Sequence, residues 1–273
     1  MPQDNTEQAD YWNDRAGNTW AELQNRLDEL LKPLSEAGLH AANVQDGQRV
    51  LDVGCGCGDT SIALAAHGGI VQGVDISEPM LTQARRRSSE VEFILADAAN
   101  FAPDQPYDLI FSRFGVMFFS DPTDAFRNLR SLLNADGRLV FVCWQPPSEN
   151  PWMSVTGRAI APYLPEAKTP LDPRAPGPFA FADADYVRTV LSNSGFHNIQ
   201  FNAFTASLRV GEDADQALAL QTRVGPAARV IAELDGEVRE QALAAARSAL
   251  AAHQDHNGIH LDAAVWIVSA TAS

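Results

Sequence analysis

Residues 50–61 read "VLDVGCGCGDTS", an apolar run that ends in three glycines and two cysteines before helix-forming residues take over. A metal clip, a redox pair and a turn that cradles a nucleotide-like ligand all suit such a stretch. Zinc sites ask for four ligands, usually in two separated pairs. Here a single C-x-C stands without a second pair, and Cys143 is the one other cysteine. Glycine accepts positive φ and lets a ligand come close to the backbone. The N-terminus of the following helix offers unpaired N–H groups to an anionic part of that ligand. The stretch is therefore read as strand, ligand turn and helix. Cys55 and Cys57 fill the variable slots of the turn as small packing side chains, with neither a metal nor a disulfide expected.

Outward from the turn, strand and helix patterns alternate. "IVQGVDI" (70–76), "VEFILADA" (91–98), "YDLIFSRF" (107–114) and "GRLVFVCW" (137–144) read as strands. "DTSIALAAHG" (59–68), "SEPMLTQARRRS" (77–88) and "DPTDAFRNLRSLLNADG" (121–137) read as helices between them, with Ser77 as an N-cap and Gly68 as a stop. Such alternation means βαβ units and a mainly parallel, doubly wound α/β sheet. Ahead of it, residues 20–39 place Trp20, Leu23, Leu27, Leu30, Leu31 and Leu34 at helical spacing, with a bend or division expected at Pro33. After Trp144 prolines crowd residues 146–180, and 212–254 read as two or three alanine-rich helices. A helix at 183–196 and strands at 197–210 and 259–271 return to the sheet. The expected organisation is an N-terminal helical flap (1–48), a ligand-binding core (49–145), a cap insertion (146–182), more core (183–210), a helical cap insertion (211–258) and a last core strand (259–273).

Charge narrows the partner. The chain has 35 acidic and 20 basic residues, a net charge of -15, and just two lysines, Lys32 and Lys168. Nucleic-acid binders draw much of their affinity from a basic face, so no nucleic-acid partner is expected. The run Arg85–Arg87 is read as cations at the negative end of a helix dipole. The start lacks a basic region followed by an apolar run, and no apolar stretch approaches the roughly 20 residues that span a bilayer. A cytoplasmic protein without a membrane span is expected, either monomer or homodimer.

Two acids sit where doubly wound sheets bind ligands. Asp75 closes the second strand, where an acid bonds ribose hydroxyls, and Asp97 closes the third. At this point the sequence resembles the class I S-adenosylmethionine-dependent methyltransferases. "VLDVGCGCG", "GVDIS", "ADAANF", "YDLIFSRFGVMFFSDP" and "LLNADGRLVFVCW" resemble their successive motifs, in order, over about residues 49–144. "YWNDRAGNTW" and "AAVWIVSA" resemble the small-molecule branch that includes the ubiquinone and menaquinone (type 11) enzymes. The resemblance implies a Rossmann-like fold with a seven-stranded, mainly parallel sheet, S-adenosyl-L-methionine as cofactor, and methylation of a small organic acceptor. It places Gly54, Gly56 and Gly58 under the methionine part, with Asp52 near its amino group. Asp75 would hold the ribose, Ile76 and Met80 the adenine face, and Asp97 and Ala98 its edge. Arg113 and Phe114 would border the sulfonium, and Tyr11 and Trp12 would close as a flap. Phe118, Trp144 and Trp152 are candidates for the acceptor pocket. No catalytic base stands out: His197 follows a helix stop, and "HQDHNGIH" (253–260) reads as a polar turn rather than a metal site. The alternatives are an NAD-dependent oxidoreductase using the same turn and a non-catalytic cofactor-binding regulator.

Overall fold

The chain opens with helices α1 (Thr6–Asn13), α2 (Arg15–Glu22) and α3 (Gln24–Ala42) in a computed structural model that describes residues 5–165 and 172–273. Helix α3 buries Leu27, Leu30, Leu31 and Leu34, one apolar stripe at helical period. The division expected at Pro33 falls instead at Leu23, between α2 and α3, and Pro33 lies inside α3. Proline removes one N–H from a helix, but burial of the stripe on both sides carries α3 through it.

The alternation then runs β1 (Arg49–Val53), α4 (Asp59–Ala66), β2 (Ile70–Asp75), α5 (Glu78–Arg87), β3 (Glu92–Leu95), β4 (Tyr107–Arg113), α6 (Pro122–Ser131) and β5 (Leu133–Trp144). There follow α7 (Pro151–Ile160), α8 (Ala184–Asn193), β6 (His197–Gly211), α9 (Ala214–Gln221), α10 (Pro226–Ala232), α11 (Gly236–Ala251), β7 (Gln254–Asp255) and β8 (Gly258–Thr271). The sheet order is β3-β2-β1-β4-β5-β8-β6, with the two-residue β7 on β8. Strands β1 to β5 pair in parallel and β8 runs antiparallel to β5. The sheet is thus the mainly parallel, doubly wound one expected, with one short strand more than seven. The order reverses direction between β1 and β4. Ligands of open α/β sheets bind at such a switch point, outside the carboxyl ends of the strands.

Strand β5 begins earlier than its sequence suggests. "LLNADG" reads as the tail of a helix, yet Tyr107 pairs with Leu133 and, after a register shift, Leu109 pairs with Arg138. Pairing with β4 overrides the helical tendency of the two leucines, so α6 stops at Ser131.

The described chain divides into two units. The first comprises Met1–Trp144, Arg174–Phe204 and Val265–Ser273, and the second Gln145–Pro173 and Thr205–Ala264. The core of the first holds fully buried Phe111, Phe126, Phe141 and Phe181, with Phe126 and Phe181 stacked at 5.9 Å. The second unit takes in parts of both stretches expected as insertions. Ile160, Ala227, Ile231, Leu234, Ala242 and Ala246 make its helical core, where alanines let α7, α10 and α11 approach closely. Among the described residues no helix is long and apolar enough to cross a membrane.

Candidate functional site

The glycine turn joins β1 to α4 at the switch point. Gly54, Gly56 and Gly58 have φ of +66°, +54° and +83°. The amides of Gly54 and Cys55 donate to the Val74 carbonyl at 2.9 and 3.1 Å, which ties the turn to the end of β2. A Cβ at Gly54 would lie 2.7 Å from the Gly115 Cα, so no larger residue fits where the ends of β1 and β4 meet. Cys55 and Cys57 are buried within this turn. Burial pushes the Cys57 thiol up to about 12 and the Cys55 thiol well above its ordinary value, so both stay protonated and poor in thiolate character. Among the described residues no three metal-binding side chains gather.

Asp75 faces the turn from the end of β2. Its Oδ2 accepts the Gly56 N–H at 2.8 Å and its Oδ1 the Ser77 N–H at 2.8 Å. An ionised carboxylate has about four acceptor sites, so these two bonds orient it and leave lone pairs for hydroxyl donors. Burial raises its pKa against the pull of those backbone amides. The buried Met80 puts its Cε 2.7 Å from where a Cβ on Gly56 would stand, so its methyl lies over the turn.

Asp52 lies beneath. It is fully buried, and its Oδ2 accepts from the hydroxyls of Thr60 at 2.7 Å and Ser61 at 2.6 Å, while Oδ1 has no hydrogen-bond partner. Burial pushes its pKa up to about 6, opposed by those hydroxyls and by the Arg113 charge.

The N-terminal helix is bound across the strand ends by two asparagines. Asn5 Nδ2 donates to Asp97 Oδ1 at 2.9 Å, and its Oδ1 accepts the Ser120 N–H at 2.9 Å. Asn13 Nδ2 donates to the Ile76 carbonyl at 2.7 Å, and its Oδ1 accepts the Glu78 N–H at 3.0 Å. Ser77 precedes α5 as expected, but its hydroxyl does not cap the helix. It donates to the Trp12 carbonyl at 2.7 Å, and Asn13 takes the capping role. Trp12 meets Tyr11, Trp20 and Phe118 edge-on at 5.3, 6.0 and 5.2 Å. Ala98 is buried, and its carbonyl accepts from Asn128 at 3.0 Å.

At the end of β4, Arg113 turns its Nη1 to Asp59 at 3.0 Å and to the Ser35 hydroxyl at 2.5 Å. Phe114 has φ of +64°, a rare conformation for an aromatic residue. Its N–H donates to the Val142 carbonyl at 3.0 Å, and its ring stacks on Trp144 at 4.0 Å with 3° between planes. Trp152 belongs to the second unit, buried in α7, with its carbonyl accepting from Gln221 at 2.6 Å. His197, His253 and His256 are exposed, and His260 stands 4.0 Å from Asp255 in the β7–β8 hairpin.

The sequence reading missed Asn5, Asn13, Asp28, Asp59 and Arg87. Their partners lie as far as 115 residues away in the chain, and no spacing rule connects them.

Residues 50–137 match the model of the methyltransferase domain family. The match supports a class I S-adenosylmethionine-dependent methyltransferase domain over these residues. The chain is 28% identical to aklanonic acid methyltransferase of Streptomyces sp. (strain C5), over 54% of this chain and 66% of that protein. It is 26% identical to demethylmenaquinone methyltransferase of Staphylococcus saprophyticus, over 61% of this chain and 77% of that protein. The fold is similar to that of magnesium protoporphyrin IX methyltransferase from Synechocystis PCC 6803, solved with S-adenosylhomocysteine bound. The TM-score is 0.54 at 18% identity, covering 97% of this chain and 99% of that one. The cradle of the methyltransferase domain suits the cofactor. The turn is bare of side chains at Gly54, Gly56 and Gly58, and the Asp75 carboxylate beside it keeps free acceptor sites.

Proposed function

We propose that the protein transfers a methyl group from S-adenosylmethionine to a small organic acceptor, and that the site at the ends of β1 to β4 holds the cofactor. The observation that carries this reading is Asp75, whose carboxylate is oriented by the Gly56 and Ser77 amides at the switch point of the sheet. When bound, the cofactor supplies an electrophilic methyl on a sulfonium. The chain's task is then to bind, orient and exclude water, and orientation of that kind supplies about 7–11 kcal/mol. In this reading Asp75 holds the ribose, Ile76 and Met80 the adenine face, Asp97 and Ala98 its edge, and Asp52 backs the methionine end. Tyr11 and Trp12 form the flap, Arg113 and Phe114 border the sulfonium, and the aromatic surfaces of Phe114, Phe118 and Trp144 suit a cationic centre. Trp152 is proposed for the acceptor pocket on the sequence reading alone. The division into flap, core and two insertions is part of the same proposal.

A small acceptor fits the names of the relatives, which specify aklanonic acid and demethylmenaquinone. The net charge of -15 disfavours a nucleic-acid substrate. A cytoplasmic location and a monomeric or homodimeric state complete the proposal, to be checked by cell fractionation and light scattering.

The test is calorimetric titration with S-adenosylmethionine, S-adenosylhomocysteine and NAD, wild type beside Asp75→Ala. Both adenosyl ligands should bind, NAD should not, and the substitution should weaken binding about 10- to 100-fold, the worth of a charge-assisted hydrogen bond. Binding of NAD alone, or of nothing, overturns the reading. Turnover in a screen of small acceptors then separates an enzyme from a cofactor-binding regulator.

A further inference from the structure

Beside the glycine turn lies a set of four charged side chains, of which Asp28, Asp59 and Arg87 have no part in the proposed cofactor contacts. Arg87, at the end of α5, donates from Nη1 to the Cys57 carbonyl at 2.9 Å. Its Nη2 pairs with Asp28 Oδ2 of α3 at 2.7 Å and lies 3.8 Å from Asp59 Oδ1 in the first turn of α4. The other oxygen of Asp59 pairs with Arg113, which also reaches Ser35 of α3. Asp28 accepts from Gln24 as well. The four side chains are 12–28% exposed and their formal charges sum to zero.

Burying such a group is costly unless each charge is paired and hydrogen-bonded, and here each is. The arrangement has a consequence for the turn. A tight turn takes its carbonyls out of the helix and sheet ladders, so each buried one needs a donor from elsewhere. The Gly58 and Ile62 amides serve the carbonyls of Cys55 and Gly58, and the Ser112 hydroxyl serves Val53. The Cys57 carbonyl is served by Arg87, a residue 30 positions on. The guanidinium is planar and holds its donors in a fixed fork. With one arm on Asp28 it delivers the other to Cys57 in a set direction.

We infer that Arg87 is a positioning residue for the cofactor: anchored by Asp28 and Asp59, it fixes the Cys57 peptide and thereby the shape of the glycine turn. The inference rests on the cofactor reading above for its effect on affinity, and on the geometry alone for its effect on the turn. Asp28 is its anchor on α3. The Asp59–Arg113 pair extends the same anchorage to α4 and β4. Arg85, two residues earlier, pairs with Glu78 and the Phe93 carbonyl and has no bond to the turn, so it serves as the control.

The test compares Arg87→Met, Arg87→Lys, Asp28→Asn and Arg85→Met with the wild type, using S-adenosylhomocysteine titration, thermal melting, and hydrogen exchange of the ligand-free protein. Arg87→Met should raise the Kd at least 10-fold and speed exchange of the amides of residues 55–58, while amides of β4 and β5 keep their rates. Arg87→Lys, which keeps the charge but loses the fork, should fall between Met and wild type. Asp28→Asn should shift both readouts in the same direction by less, and Arg85→Met should shift neither. A purely structural role predicts a lower melting temperature for Arg87→Met with Kd within twofold and turn exchange unchanged, and that outcome overturns the inference. If the wild type binds no adenosyl ligand, the cofactor reading fails, and the exchange rates alone decide whether Arg87 anchors the turn.

Discussion

The two units of this protein spend their charged residues differently. In the first, Asp28, Asp59, Arg87 and Arg113 are drawn inward and bonded to one another, and Asp52 and Asp75 lie on the neighbouring strands β1 and β2. In the second, the core is aliphatic, built on Ile160, Ile231 and small alanines, and its ion pairs Arg247–Asp215 and Arg209–Glu212 sit on the surface with side chains 53–69% exposed. An apolar interior is the less costly way to hold helices together. A unit that accepts buried charge does so where backbone and carboxylates must be held in one geometry. The cofactor site proposed above falls in the first unit, and the aliphatic interior of the second is read as scaffold.

That contrast breaks most readily at Gly54. An Ala Cβ would press on the Gly115 backbone at 2.7 Å, in a backbone region costing L-residues about 1–2 kcal/mol. Gly54→Ala should lower the melting temperature and reduce S-adenosylhomocysteine affinity more than 100-fold. Wild-type affinity in that variant would show that the turn is not held as tightly as its contacts imply.

Ile231→Ala tests the other side. It removes a buried side chain from the second unit's core and should cost about 2–5 kcal/mol in denaturant unfolding. Titration should show affinity for the adenosyl ligand within twofold of wild type. A large affinity loss would mean that the second unit does more than hold itself together.

Asp52 gives an effect of intermediate size and definite sign. Its folded pKa of about 6 lies above the ordinary 3.8, so the folded state keeps its proton longer than the unfolded state. The stability tied to that proton is fully present below pH 3.8 and is lost as pH rises through 6, a loss of about 3 kcal/mol. Asp52→Asn should remove this slope, read as the difference between the two melting-temperature profiles from pH 4 to 6.5. Parallel profiles would show that the carboxylate is not desolvated as its burial suggests.

The smallest effect belongs to Arg247→Ala. Exposed pairs contribute little, and the melting temperature should stay within about 3 °C of wild type. A larger fall would mean that the surface pair anchors α11 to α9, and the contrast between inward and outward charge would weaken.

Much of the fold was legible because its signals are local. The turn at 54–58, the acid after the second strand and the helices around them are written in glycine spacing, apolar period and stop residues. Where local and distant preferences conflict, the sequence misled. Leu132 and Leu133 carry a helical pattern, and pairing with Tyr107 makes the latter strand. Pro33 looks like a break, and stripe burial takes the helix through it. Ser77 looks like a cap, and the Trp12 carbonyl claims its hydroxyl.

The sequence alone determined the order of strands and helices, the ligand turn, the position of Asp75 and the acidic surface, because each depends on residues near one another or on composition. The tertiary structure decided which side chains meet. Asn5 reaches Asp97, Arg87 reaches Cys57 and Asp28, and Phe114 adopts its positive φ against Trp144. Those contacts join residues that the chain keeps 30 to 92 positions apart. Burial at the ends of the strands, which no local pattern encodes, turns them from surface polar groups into a bonded network that shapes the site.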